Sequence, residues 1–184
     1  MNETFKAACI QNCASIDANQ TCDRAEELIR EAASMGADLI CTPEFFSCLD
    51  TQISGLSTDP HPEENHPTLA RFKTLADQLN KWILLGSLTI QGDINDSRLF
   101  NRSYLVNPSG DIVARYNKIH LFDIDIDKEE VYREPDQFQP GTEAVVASTP
   151  WGMLGMTVCY DVRFPHLYRD LAKAGAGILT VPSA

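Results

Sequence analysis

The sequence predicts an α/β domain built around a mixed sheet. Three observations carry that expectation. The first eighty residues alternate apolar runs of strand length with amphipathic stretches, in the order β-α-β and then a second helix. Three strand-like runs joined by turn signals follow, over 82–116. A third helical stretch then lies between apolar strands near the end of the chain.

Taken in order, residues 5–10 read as a short buried strand. Residues 19–35 read as a helix, because Ala25, Leu28, Ile29 and Ala32 recur at helical spacing and Gly36 offers a stop. Residues 39–42 form a second apolar strand closed by Pro43. The polar segment 47–66 carries Pro60 and Pro62 and reads as a long loop, a kind of segment that is often functional. Leu69, Phe72, Leu75, Ala76 and Leu79 mark the second helix. Strands are expected at 82–90, 102–106 and 112–116, with turns at Gly92-Asp93 and Asn107-Pro108-Ser109-Gly110. Residues 121–142 are acidic and read as irregular. Two more strands are expected at 144–148 and 153–158, a helix on Phe164, Leu167, Leu171 and Ala174 ending at Gly175, and a last strand at 178–181.

Composition narrows the function. With 184 residues and 43% apolar content, the chain can bury a real core. A formal net charge of -11 repels nucleic-acid phosphates and acidic membrane surfaces, so a small molecule or a protein is the better partner. No basic lead-in precedes an apolar stretch, so no signal peptide is expected, and no run is long enough to span a bilayer. The six cysteines are irregularly spaced, which favours reduced cytoplasmic thiols over disulfides. Cys9 and Cys13 have no matching pair at zinc-site spacing, so no metal is expected.

Four polar side chains stand where strands end or loops begin. Glu44 follows Leu39-Ile40-Cys41-Thr42-Pro43. Lys118 follows the strand at 112–116. Glu134 lies in the acidic segment, and Cys159 ends an apolar run. Ligands of open α/β sheets gather beyond the carboxyl ends of strands, so these four can converge there. Each also has a plain reading. Glu44 could place a negative charge in the first turn of a helix, and Lys118 could be a solvated surface lysine. Glu134 could pair with Arg133, and Cys159 could simply pack.

Together they fit one chemistry. A carboxylate can take the proton of a thiol that attacks an amide. An ammonium and a backbone N–H can stabilise the resulting oxyanion. No cofactor or metal is required. The alternatives left open are a Cys-His hydrolase using His120 or His166, and a non-catalytic binding or assembly module or an inactive fragment of the same fold.

The segments Cys41-Thr42-Pro43-Glu44-Phe45, Asn117-Lys118-Ile119-His120-Leu121-Phe122-Asp123 and Val158-Cys159-Tyr160-Asp161-Val162-Arg163-Phe164-Pro165 occur in one order. With the opening strand Ala7-Ala8-Cys9-Ile10-Gln11, they resemble the nitrilase superfamily of carbon–nitrogen hydrolases along essentially the whole chain. That resemblance implies an α-β-β-α sandwich with mixed sheets. It implies that Glu44 is the general base, Lys118 the oxyanion stabiliser and Cys159 the nucleophile forming a thioester. Glu134 matches the family's second glutamate, and the backbone N–H of Tyr160 the second oxyanion donor. The wording around Lys118 and Cys159 is most similar to the Nit-type amidases, which act on small ω-amides of dicarboxylic keto acids or on deaminated glutathione. An acidic substrate needs a cationic contact, for which Arg163 is the candidate. The family often forms homo-oligomers, so a homo-oligomer is expected. Residues 1–184 are expected to form one domain, the N-terminal portion of the family domain, because family domains continue past a strand like the one at 178–181.

Overall fold

The structure is a computed structural model and describes residues 4–49, 59–92, 96–127 and 131–184. The inner part of the expected loop at 47–66 and the Gly92-Asp93 turn fall partly outside these residues.

Ten strands and three α-helices are present among them. In chain order they are β1 (Ala7–Cys9), α1 (Ala18–Ser34), β2 (Leu39–Cys41), α2 (Pro67–Leu79), β3 (Trp82–Gln91), β4 (Leu99–Val106) and β5 (Ile112–Asn117). There follow β6 (Asp123–Asp125), β7 (Val131–Arg133), β8 (Val145–Thr149), β9 (Gly152–Met156), α3 (Pro165–Lys173) and β10 (Ala176–Thr180).

Each helix carries the signals that start and stop it. Asp17 caps α1, accepting the N–H of Gln20 at 3.0 Å. Gly36 follows α1 in the left-handed conformation, φ 83°. Pro67 opens α2, where a missing N–H costs nothing, and Asn80 ends it at φ 52°.

Strands β1 to β5 form one sheet in sequence order. The pairs β1–β2 and β2–β3 are parallel, while β3–β4 and β4–β5 are antiparallel. The second sheet runs β10–β9–β8, with β10 parallel and β8 antiparallel to β9. Strand alternation gives the first sheet two apolar faces. Ile83, Leu85, Tyr104 and Val106 face α1 and α2, packing with Ile29 and Phe72. Leu84, Leu105 and Tyr116 face the second sheet, packing with Leu154, Met156 and Val158. Helix α3 covers the far side of β10 and buries Leu167 and Leu171. The order of layers is therefore helices, sheet, sheet, helix. This is the sandwich expected from the sequence. The last strand lies at the edge of its sheet.

One expectation fails. The acidic segment is not irregular, since Asp123–Asp125 pairs antiparallel with Val131–Arg133. Arg133 explains how so acidic a hairpin forms, because its guanidinium bridges to both Asp123 and Asp125 across the strands. Smaller shifts concern boundaries. The fourth strand starts at Leu99, so Asn101 lies inside it. The apolar run before Cys159 stops being a strand at Met156.

Candidate active site

Glu44 sits where β2 gives way to a turn rather than in a helix. Thr42 holds that end in place, since its N–H donates to Leu84 O at 3.0 Å and its hydroxyl accepts the Gly86 N–H at 2.9 Å. A Cβ on Gly86 would lie 2.2 Å from the Thr42 carbonyl oxygen and 2.3 Å from that of Pro43. Only glycine lets the two backbones approach this closely. Phe45 then takes a left-handed conformation, φ 49°, with its N–H donating to Ser87 Oγ at 3.0 Å.

Lys118 follows β5 directly. Its backbone N–H donates to Asn101 O at 2.9 Å, and its carbonyl accepts the Gly141 N–H at 2.8 Å. Far from being a solvated surface lysine, it is only 2% exposed. Its Nζ donates to Glu44 Oε1 at 2.8 Å and to Glu134 Oε2 at 2.9 Å. Burial alone would lower the pKa of this ammonium. The charges of Glu44 and Glu134, with their hydrogen bonds, outweigh burial and hold it above its ordinary value.

Glu134 opens a one-turn 3-10 helix after β7, followed by Pro135. Arg133 is occupied by the hairpin aspartates, so Glu134 turns inward instead of pairing with it. Besides Lys118, it accepts the N–H of Phe122 at 2.6 Å.

Cys159 comes from the second sheet. It begins a 3-10 turn (Cys159–Arg163) in a left-handed conformation, φ 46°. A non-glycine residue held there is strained, and such strain gathers at functional sites. Two contacts fix the corner. The Cys159 N–H donates to Pro182 O at 2.8 Å, and the Val158 N–H donates to Asp161 Oδ2 at 2.8 Å. Burial pushes the thiol up to about 11, and the nearby Glu44 carboxylate adds to this, while Lys118 and Ser183 oppose it. The groups that act on the thiol are thus Glu44, Lys118 and Ser183. His120 instead points Nδ1 at Asp161 Oδ1, 2.7 Å away, and stacks on Phe164 at 3.7 Å between ring centres. His166 is exposed on α3.

Four of the six candidates therefore converge: Glu44, Lys118, Glu134 and Cys159. Tyr160 follows Cys159 in the same turn. Arg163 is exposed at its far end and makes no contact with the other four among the described residues. A cavity of about 630 Å³ runs between the two sheets. Apolar side chains such as Leu39, Leu84 and Ile178 line it, and it meets the cluster only at Glu44. No group of three or more His, Cys, Asp or Glu among the described residues is arranged to hold a metal.

Two residues were not singled out from the sequence. Asn101, on β4, donates from Nδ2 to Glu44 Oε1 at 2.8 Å and to Glu134 Oε1 at 3.0 Å. Asp161, fully buried, takes four donors: Tyr116 OH (2.7 Å), Val158 N–H, His120 N–H (3.0 Å) and the His120 ring. An asparagine in a strand interior is a weak signal, since strands disfavour it.

The carbon-nitrogen hydrolase family model matches residues 6–184. The chain belongs to that family. Among its relatives, a deaminated glutathione amidase of Yersinia enterocolitica is 36% identical over 180 residues. That match covers 96% of this chain and 62% of the relative. Two other relatives are covered to 57% and 55% of their length, so the chain spans less than two thirds of these proteins. The C. elegans NitFhit protein superposes with a TM-score of 0.81 at 27% identity, over 98% of this chain and 44% of that one. Saccharomyces cerevisiae Nit3, described as a member of branch 10 of the nitrilase superfamily, gives 0.81 at 25% identity over 98% and 64%. The chain thus has the nitrilase fold, and its relatives include amidases of the Nit type.

Proposed function

We propose that this protein hydrolyses a small carboxamide to acid and ammonia through a thioester on Cys159. One observation carries the reading. A buried lysine is held between two buried glutamates, beside a thiol that burial and the Glu44 charge keep protonated at neutral pH.

Glu44 takes the thiol proton as Sγ attacks the amide carbon. The carbonyl oxygen becomes an oxyanion, met by the Lys118 ammonium and the Tyr160 N–H. The C–N bond then breaks. Glu44 returns its proton to the leaving nitrogen, which departs as ammonia. Water attacks the thioester with Glu44 again as base. The carboxylate product leaves, and the thiol is restored. Glu134 holds Lys118 in place.

The substrate class follows the relatives named deaminated glutathione amidase: an amide that also carries a carboxylate. Arg163 is then the cation for that carboxylate. The test is ammonia release from deaminated glutathione and from butyramide by the full chain. Glu44→Gln and Cys159→Ala should each lower turnover at least about 1000-fold, the range expected when a nucleophile or its base is lost. Arg163→Ala should raise KM for deaminated glutathione and leave butyramide unaffected. Turnover that survives Glu44→Gln would refute the Glu-Lys-Cys assignment.

A further inference from the structure

We propose that Asn101 is the positioning residue that makes Glu44, and not Glu134, the proton carrier of the site. The inference rests on the reading of Glu44 as general base and deepens it.

Two glutamates flank Lys118, and nothing in the residue types says which one should carry protons. The placement of their hydrogen bonds distinguishes them, since each takes three donors. On Glu134, Oε2 takes Lys118 Nζ and the Phe122 N–H, and Oε1 takes Asn101 Nδ2. On Glu44, Oε1 takes Lys118 Nζ and Asn101 Nδ2, and Oε2 takes a single backbone N–H, that of Ala184 at 3.2 Å. Asn101 therefore occupies the one Glu134 oxygen that no other donor holds, while on Glu44 it shares the oxygen that Lys118 already holds and leaves Oε2 for the Cys159 proton.

The orientation of the Asn101 amide is fixed by chemistry. Turned over, its oxygen would face two carboxylate oxygens with no proton between them. As placed, both amide hydrogens go to the glutamates, and Oδ1 is left buried without a partner. A side chain 1% exposed that leaves one polar atom unpaired is held by what its other atom does. Its backbone is tied in as well, since Asn101 O accepts the Lys118 N–H. One residue of β4 thus sets the height of Lys118 and the rotamers of both glutamates. Among the described residues, no other side chain touches both carboxylates besides Lys118 itself.

The test is the pH dependence of ammonia release by the full chain carrying Asn101→Leu or Asn101→Asp. Leucine removes both donors while keeping the same branched outline of side-chain heavy atoms. Aspartate keeps the shape and places an acceptor where the donors stood, so it decides the matter should the leucine variant fail to fold. Both variants should lose about 10- to 100-fold in kcat with KM within about threefold, the signature of a misplaced base. The acid-side fall of kcat should also move to higher pH, and further with aspartate than with leucine, because a carboxylate that loses a donor or gains an anionic neighbour is easier to protonate. A purely structural role would lower the melting temperature and leave the pH profile in place. Should both variants keep the wild-type profile and kcat while Glu44→Gln is inactive, the role of Asn101 is wrong and the reading of Glu44 stands. Should Glu44→Gln remain active, both fall together.

Discussion

Replacing Asp161 with asparagine should destabilise the protein by about 3 kcal/mol, and the geometry shows where that comes from. Each carboxylate oxygen takes two donors: Tyr116 OH and Val158 N–H on Oδ2, the His120 N–H and ring on Oδ1. An amide keeps only one accepting oxygen. Its NH₂ must face one pair, and the His120 pair suffers less, because the ring can switch tautomer and accept. The His120 N–H then loses its acceptor, at about 1–3 kcal/mol for an orphaned buried donor. The remaining bonds lose their charge assistance, about 1 kcal/mol in sum. In a chain of this size, 1 kcal/mol moves the melting temperature by about 2–4 °C, so a fall of about 6–12 °C is expected by circular dichroism. Asp161→Ala should fall further, because all four donors are then abandoned. Melting of Asp161→Asn within 2 °C of wild type, or equal melting of the asparagine and alanine variants, would exclude this role for the Asp161 carboxylate. The damage should also reach the site, since Asp161 ties the residue before Cys159 to the segment that follows Lys118.

Two further outcomes are expected elsewhere in the fold. Gly86→Ala pushes a Cβ against the Thr42 and Pro43 carbonyls and should cost about 1–3 kcal/mol. It should also lower ammonia release by displacing Glu44, whereas Gly177→Ala, which meets nothing within 4 Å, serves as the silent control. His66 is buried, and burial, with a smaller push from His61, takes its pKa from 6.5 down to about 4. The unfolded chain binds that proton below about pH 6.5 and the folded chain only near pH 4, so His66 stabilises fully above this window and progressively less as pH falls through it. The urea midpoint should therefore drop less between pH 7 and 4.5 in His66→Gln than in wild type. An equal drop in both proteins would remove His66 from the account.

Much of the fold was legible because its signals are local. Ala25, Ile29 and Ala32 announce the buried face of α1 by spacing alone, and short apolar runs closed by Pro43 or Gly175 mark strand and helix ends. The hairpin β6–β7 was not legible. Its alternation spans only three residues a side, and its acidity is neutralised by Arg133 from the opposite strand, a pairing that exists only once the turn has formed. Asn101 is hidden for a different reason, because Asn101-Arg102-Ser103 interrupts the apolar pattern between Phe100 and Tyr104 and places the asparagine just outside the strand expected at 102–106.

For the site, the sequence by itself determined which groups stand at the ends of buried strands, because a carboxylate after Pro43, an amine after Asn117 and a thiol after Val158 follow from residue order and local pattern. Tertiary structure decided that they meet and what each can do. Lys118 and Glu44 are 74 residues apart, and Cys159 arrives on the other sheet, brought in by apolar packing of Leu84, Leu105 and Tyr116 against Leu154 and Met156. Residue type makes the two glutamates equals. Only the placement of donors on each oxygen, supplied by Asn101, Lys118, Phe122 and Ala184 from separate elements, tells them apart. Hydrogen-bond placement is a property of three-dimensional neighbours, so no pattern along the chain can encode it locally.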